Sequence, residues 1–245
     1  MTTQLLRSAL TGAVTDALST VRDPELDESI VDLGFVTEIS VQGGTARVRL
    51  RLPTYFCAPN FAYLMVADAN DAVRAVPGID TVSIELEEHF AAEEINSGVA
   101  AGAGFVGSFP DEAGSELTEL RRNFQRKAHI AAMERACRRL IGNGWTVETL
   151  PQARLADLPD GTERSSLMRR RADIDLPLDL DSPLFVDDAG VVVRAEDAPL
   201  RLRFAQTVRV SIDGNAHFCR GLLTTRYPES AAAQRPRQFS EEDPR

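Results

Sequence analysis

The chain has 245 residues, 43% hydrophobic and 26% charged, with a formal net charge of -10. That length allows one large domain or two small ones, with enough apolar material for a core that needs no disulfides. The acidic balance argues against nucleic acid and against an anionic membrane as partners, because both require a basic face.

Three scattered cysteines, Cys57, Cys137 and Cys219, suit a reducing compartment better than a disulfide scaffold. The N-terminus has no apolar signal-peptide core, and no stretch reaches the length of a membrane span. A cytoplasmic protein is therefore expected. Lys127 is the sole lysine and Arg fills the other basic positions, the usage of a GC-rich bacterial genome.

In chain order, residues 5–21 repeat apolar positions at helical spacing, and Asp23-Pro24 stops that helix. Phe35–Val41 and Ala46–Leu52 read as strands joined by a Gly43-Gly44 hairpin turn. Ala58–Val76 is a second helical pattern, closed by Pro77-Gly78. Thr81–Leu86 alternates as a third strand. The first unit, residues 1–98, thus reads α-β-β-α-β.

Residues 99–114, rich in Gly and Ala, read as a linker or mobile loop. Ser115–Ile141 is the longest helical pattern. Residues 151–182 are weakly patterned and expected to be irregular. The runs Leu184–Val186, Val191–Arg194, Leu200–Ile212 and Ala216–Thr225 look like strands, with Asp213-Gly214 as a hairpin turn. The expected class is α+β: the small first domain, then a long helix and an antiparallel β unit over 115–227. Residues 228–245 have the composition of a disordered tail.

Four places carry candidate chemistry. Cys57 sits just before Pro59, which suits the first turn of a helix. The free N–H groups there favour a thiolate, able to bind metal or attack an electrophile, although a buried capping cysteine is the plain alternative. Asp23 and Glu25 flank the first helix, either as turn carboxylates or as neighbours of Cys57. Asp32-Leu33-Gly34 shapes the entry to the first strand. His89 lies in an acidic cluster with Glu85, Glu87, Glu88, Glu93 and Glu94, which is either iron or zinc ligand chemistry or a solvated loop.

His217 and Cys219 would share a strand face, and a core role is favoured for them. His129 and Cys137 fall on the long helix as packing positions. No phosphate loop, Ser-His-Asp arrangement or CxxC pair is present, and Gly102/Gly104 lack the strand and helix of a dinucleotide fingerprint.

The pieces R-D-P-E-L (22–26), S-I-V-D-L-G-F-V (29–36), L-P-T-Y-F-C-A-P (52–59) and V-P-G-I-D-T-V-S-I-E-L (76–86) resemble the iron–sulfur cluster assembly accessory domain. That family occurs in the cytosolic Fe–S targeting complex, in the bacterial sulfur-mobilisation operon and in the phenylacetate-degradation cluster. The Pro-Thr-Tyr run is most similar to the last. Two departures stand out. The family's Cys-Pro is Cys57-Ala58-Pro59 here, and its Trp-containing loop after the third strand is replaced by Glu87–Glu94.

The resemblance implies a non-enzymatic accessory protein that binds or relays iron or a labile iron–sulfur cluster, transiently, through Cys57 with Asp23, Glu25 and His89 nearby. The implied partners are the Fe–S assembly machinery and a client metalloenzyme such as an oxygenase or reductase component. One thiolate per chain would leave a cluster shared with a client or within a homodimer, since clusters take about four ligands. A metal-independent assembly chaperone and a cysteine-dependent enzyme are the alternatives.

Overall fold

A computed structural model describes residues 2–111 and 113–228. α1 (Thr2–Thr20) buries Val14 and Leu18, four residues apart and so on one face. β1 (Val36–Gln42) and β2 (Thr45–Arg51) pair antiparallel. Gly43 and Gly44 take φ of 53° and 77°, which a two-residue hairpin turn requires and which side chains with a Cβ resist. In β2, Ala46, Val48 and Leu50 face the core while the residues between them face outward.

α2 (Pro59–Arg74) then crosses back, and β3 (Thr81–Glu87) pairs parallel with β2. The sheet order is β1-β2-β3. Parallel pairing decides where the site lies. Arg51 is level with Glu87, so the chain leaving β2 and the chain leaving β3 emerge side by side at one end of the sheet. The first carries Cys57 and the second carries His89.

α3 (Ala92–Ala101) and the short α4 (Gly104–Ser108) follow β3. They occupy part of the stretch expected to be a linker, and Phe109 beyond them is buried in the same core as Phe35, Leu50, Met65 and Ile95.

The remainder is helical. α5 (Thr118–Gly142), α6 (Thr162–Asp173) and α7 (Ala198–Arg226) enclose a second core around Met133, Leu140, Leu155, Leu167 and Phe185. His129 and Cys137 are fully buried on α5. Fully buried Arg171 donates from Nε to the Pro177 carbonyl (2.8 Å) and from Nη1 to the Pro183 carbonyl (2.9 Å), which organises the irregular chain after α6.

The α+β class holds, but the antiparallel β unit expected after the long helix does not form. Leu200–Ile212 and Ala216–Thr225 are one continuous helix, α7, and Asp213-Gly214 lies inside it. Of the other two runs, only an isolated bridge between Val186 and Val192 is present. Residues 162–173, expected to be irregular, form α6. The β-branched and aromatic content and the local alternation at 200–204 suggest strands. The positions that α7 buries are Ala198, Ala205, Ile212 and Ala216, a helical spacing. Asp213 turns no hairpin but pairs with Arg209 one turn back and with Arg135 on α5. Tertiary packing thus overrides strand propensity.

At 1.5 Å per residue α7 is roughly 43 Å long. It bridges both cores: Ala198 and Ala205 pack in the second, Ala216 in the first. The tail expected over 228–245 lies, beyond residue 228, outside the described residues.

Candidate thiol and carboxylate site

The β2–α2 loop places Cys57 two residues before Pro59, the first residue of α2. Its backbone is pinned from the neighbouring loop. His89 Nε2 donates to the Cys57 carbonyl (2.7 Å), and Nδ1 accepts from the Ala91 N–H (3.2 Å). A carbonyl can only accept, so this histidine is the Nε2–H tautomer and is neutral. Burial lowers its pKa, and Arg226 adds to that, while the Cys57 carbonyl opposes it. Both ring nitrogens are thus occupied in positioning the cysteine loop, and in this arrangement neither is free for a metal.

Asp23 is 6% exposed. Its Oδ1 accepts from the N–H groups of Glu25 (2.8 Å) and Leu26 (2.9 Å), a turn in which the side chain replaces a backbone acceptor. Burial nevertheless pushes its carboxyl up to about 6, with those N–H groups opposing. Glu25 accepts from Asn215 Nδ2 on α7 (3.1 Å).

Asn215, Cys219 and Leu223 follow at helical spacing, and Cys219 and Leu223 pack on the same core as Cys57. The end of the helix is clasped to both loops. Arg226 donates to the carbonyls of Leu52 (3.2 Å) and Glu88 (2.8 Å), and the Tyr227 hydroxyl donates to the Glu88 carboxylate (2.8 Å). Arg220 pairs with Glu28. Cys219 is thereby held over the loops that carry Cys57 and Asp23.

The electrostatics reverse the expectation of a thiolate. Burial pushes the Cys57 thiol up to about 12; Asp23, Cys219 and Glu25 add to this, and the Ala58 N–H at the helix start opposes it. Cys219 is also raised, by burial and then by Asp23 and Glu25. A helix end contributes only about 0.3–1 kcal/mol, less than one pKa unit, whereas desolvation shifts buried groups by several units. Both thiols are therefore protonated at neutral pH. The strand pattern makes Cys219 a core residue sharing a face with His217. On a helix, residues two apart diverge instead, and His217 is exposed while Cys219 is half-buried. No local signal marks Cys219; only the path of α7 does.

Two thiols and a desolvated carboxylate are donors of mixed soft and hard character. Among the described residues no three His, Cys, Asp or Glu side chains converge closely enough to hold a metal ion. Cys57, Asp23 and Glu25 are thus brought into one neighbourhood without forming a closed cage. Tyr55 and Phe56 on the same loop as Cys57, and Phe90 next to His89, are all exposed, Phe56 to 74%. The Phe90 N–H donates to the Tyr55 carbonyl (3.0 Å), which ties the two loops together.

Residues 11–86, the unit that carries Asp23, Cys57 and the sheet, match the family model described as iron–sulfur cluster assembly protein. An uncharacterized protein of Methanocaldococcus jannaschii is 32% identical over 84 residues, 34% of this chain and 86% of its own length. The chain belongs to this family. Its N-terminal domain is also 34% identical over 76 residues to an iron–sulfur cluster carrier protein of Synechocystis, and 36% identical over 74 residues to one of Deinococcus radiodurans. These stretches are 31% and 30% of this chain, and the chain spans only 21% of the length of either carrier. No solved structure matches the chain. His89 and Cys219 lie outside the residues matched by the family model, so the histidine that pins Cys57 and the second thiol on its core stand beyond that match. Among the described residues no helix is long and apolar enough to cross a membrane.

Proposed function

We propose that this assembly-family protein receives iron or a labile iron–sulfur cluster as cargo and passes it to a client metalloenzyme. Cys57 and Cys219 supply the thiolates, and Asp23, with Glu25 beside it, supplies the carboxylate. The observation that carries this reading is that Cys57 and Cys219 pack on one core and lie near enough to Asp23 for their charged forms to disfavour one another, a cost that a cation would relieve. The donor set is incomplete for a cluster, which takes about four ligands. Incompleteness suits a carrier, because a partner must complete the shell and can then take the cargo. His89 acts on this site by fixing the Cys57 backbone.

An oxygenase or reductase component fits as client by likeness to the phenylacetate branch. This reading gives Cys57 no nucleophilic role, since burial holds its thiol protonated at neutral pH. Cytoplasmic residence and a homodimer sharing one cluster are consistent with this reading.

The test is iron, zinc and sulfide content with a visible spectrum, on protein purified without oxygen. Iron with sulfide in the wild type, lost in both Cys57→Ser and Cys219→Ser, supports the proposal. Equal metal content in wild type and both variants removes it. The exposed Tyr55, Phe56 and Phe90 favour a second reading, a client-binding module that needs no metal. That reading expects client activation to survive Cys57→Ser and to fail in Phe56→Ser.

A further inference from the structure

A second candidate site lies on α2, away from Cys57. Tyr63, Ala67, Asn70, Asp71 and Arg74 fall at helical spacing along one side of this helix and line a cavity of about 390 Å³. The facing wall is the last turn of α3, with Val99, Ala100 and Ala101, and the turn after it at Gly102 and Gly104. At 1.5 Å per residue Asn70 lies roughly 17 Å along the helix from Pro59, so this cavity and the thiol site use different ends of α2. Its volume falls among those of small-molecule sites, about 300–1,000 Å³.

Asn70 is the observation that points to a ligand. It is only 8% exposed, and among the described residues neither its amide oxygen nor its amide nitrogen has a hydrogen-bond partner. The ring nitrogens of His129 are also unpartnered, but they are closed off in the core. The Asn70 amide is not closed off, and the cavity is the space that Asn70 lines. Side-chain amides this deeply placed are ordinarily paired, and this one offers the cavity both an acceptor and donors.

The charges on the walls are one of each sign. Asp71 and Arg74 stand three residues apart on α2, a spacing at which opposite charges often pair. Here neither side chain has an ion-pair or hydrogen-bond partner among the described residues, and both are exposed. Arg121 feels the charge of Asp71, but its two terminal nitrogens are occupied by Asp68 (2.6 and 2.7 Å). Glu116, which lies against Gly104, accepts from the N–H groups of Phe105 (3.0 Å) and Val106 (3.2 Å). At the end of α3 the N–H groups of Gly102 and Ala103 cap the carbonyls of Val99 (3.1 Å) and Gly98 (2.9 Å). The carbonyls of Ala100 and Ala101 receive no such bond, and this negative helix end lines the cavity. Buried Tyr63 and Val99, with Ala67, add apolar surface.

We propose that this cavity binds a free α-amino acid as its zwitterion. The ammonium group meets the Asp71 carboxylate and the open carbonyls of Ala100 and Ala101. The carboxylate meets Arg74, whose guanidinium presents paired N–H donors matched to two carboxylate oxygens. The Asn70 amide bonds to the ligand from the base of the cavity, and the ligand side chain lies on Ala67 and Val99. A ligand with both charges satisfies both walls, whereas a simple cation or anion leaves one of them repelled or unpaired. This site does not rest on the thiol reading, and neither stands or falls with the other.

The test is equilibrium dialysis of the full chain against L-alanine and L-leucine, with ethylamine and propionate as ligands that each lack one charged end. One saturable site per chain is expected for at least one of the amino acids, with ethylamine and propionate weaker by about tenfold or more. Asp71→Asn and Arg74→Gln should each weaken amino-acid binding by about tenfold or more, the effect of losing a charge-assisted hydrogen bond. Both residues are exposed, so these variants keep the fold, and an unchanged urea midpoint checks that. Tighter binding of L-leucine supports an amino acid whose side chain uses the apolar wall, and tighter binding of L-alanine supports one with a short side chain. Saturable binding of neither amino acid, binding of ethylamine or propionate as tight as theirs, or unchanged affinity in either variant overturns the proposal.

Discussion

Asp23 carries a charge that the folded apo-protein tolerates at a cost, and replacing it with Asn exposes that cost. The side chain is buried, and its pKa rises from 3.8 to about 6 because burial outweighs the two N–H bonds it accepts. At about 1.4 kcal/mol per tenfold change, this corresponds to about 3 kcal/mol. The sign follows from linkage. The folded state holds the proton more tightly than the unfolded chain, so the favourable contribution is complete below pH 3.8 and is lost as pH rises through 6.

Asp23→Asn keeps an oxygen for the N–H groups of Glu25 and Leu26 and removes the charge. The variant should therefore match the wild type near pH 4 and exceed it by up to about 3 kcal/mol near pH 7.5. For a chain of this size that is roughly 6–12 °C in melting temperature. Urea unfolding of both proteins across this pH range measures it. A variant no more stable at pH 7.5, or a difference that does not grow with pH, would refute the reasoning. If Asp23 also serves the cargo, the same variant binds iron more weakly, so stability gained and function lost would travel together.

Three further outcomes follow from particular contacts. Iodoacetamide labelling of Cys57 should be slow at pH 7 and should still be climbing at pH 10, above the ordinary thiol pKa of about 8.5, because thiolate is the reactive form and burial disfavours it; fast labelling at neutral pH would show an activated thiol. Asp27→Ala strands the Arg170 guanidinium, which is buried and pairs with it, and should cost about 3–5 kcal/mol in urea unfolding, whereas an exposed pair such as Arg194–Glu196 should be nearly neutral to the same change. Phe185→Ala empties the centre of the second core and should cost about 3–5 kcal/mol, with Cys57 labelling rates unchanged if the two cores are separate in their packing.

The α-β-β-α-β order of the first unit and the place of Cys57 at the start of a helix were legible in the sequence. Each rests on local physics. Gly43-Gly44 permits positive φ, Pro59 suits a first helical turn, Pro77-Gly78 ends a helix, and apolar periods of two and 3.6 assign the rest. Asp23 and Glu25 could be named as neighbours of Cys57 through family likeness alone.

What the sequence could not decide was non-local. Residues 198–226 carry strand-like composition, and only packing along α5 and across both cores makes them helical. Cys219 meets the Cys57 site because that helix reaches from the second core to the first, and no spacing rule reports it. His89, a ligand candidate by its acidic neighbours, is instead the clamp on the Cys57 carbonyl, because β2 and β3 run parallel and release their loops side by side. The protonation of the thiols was decided in the same way. A helix N-terminus is visible in a string of letters, but desolvation depends on every atom packed around the sulfur, and here desolvation outweighs the helix end.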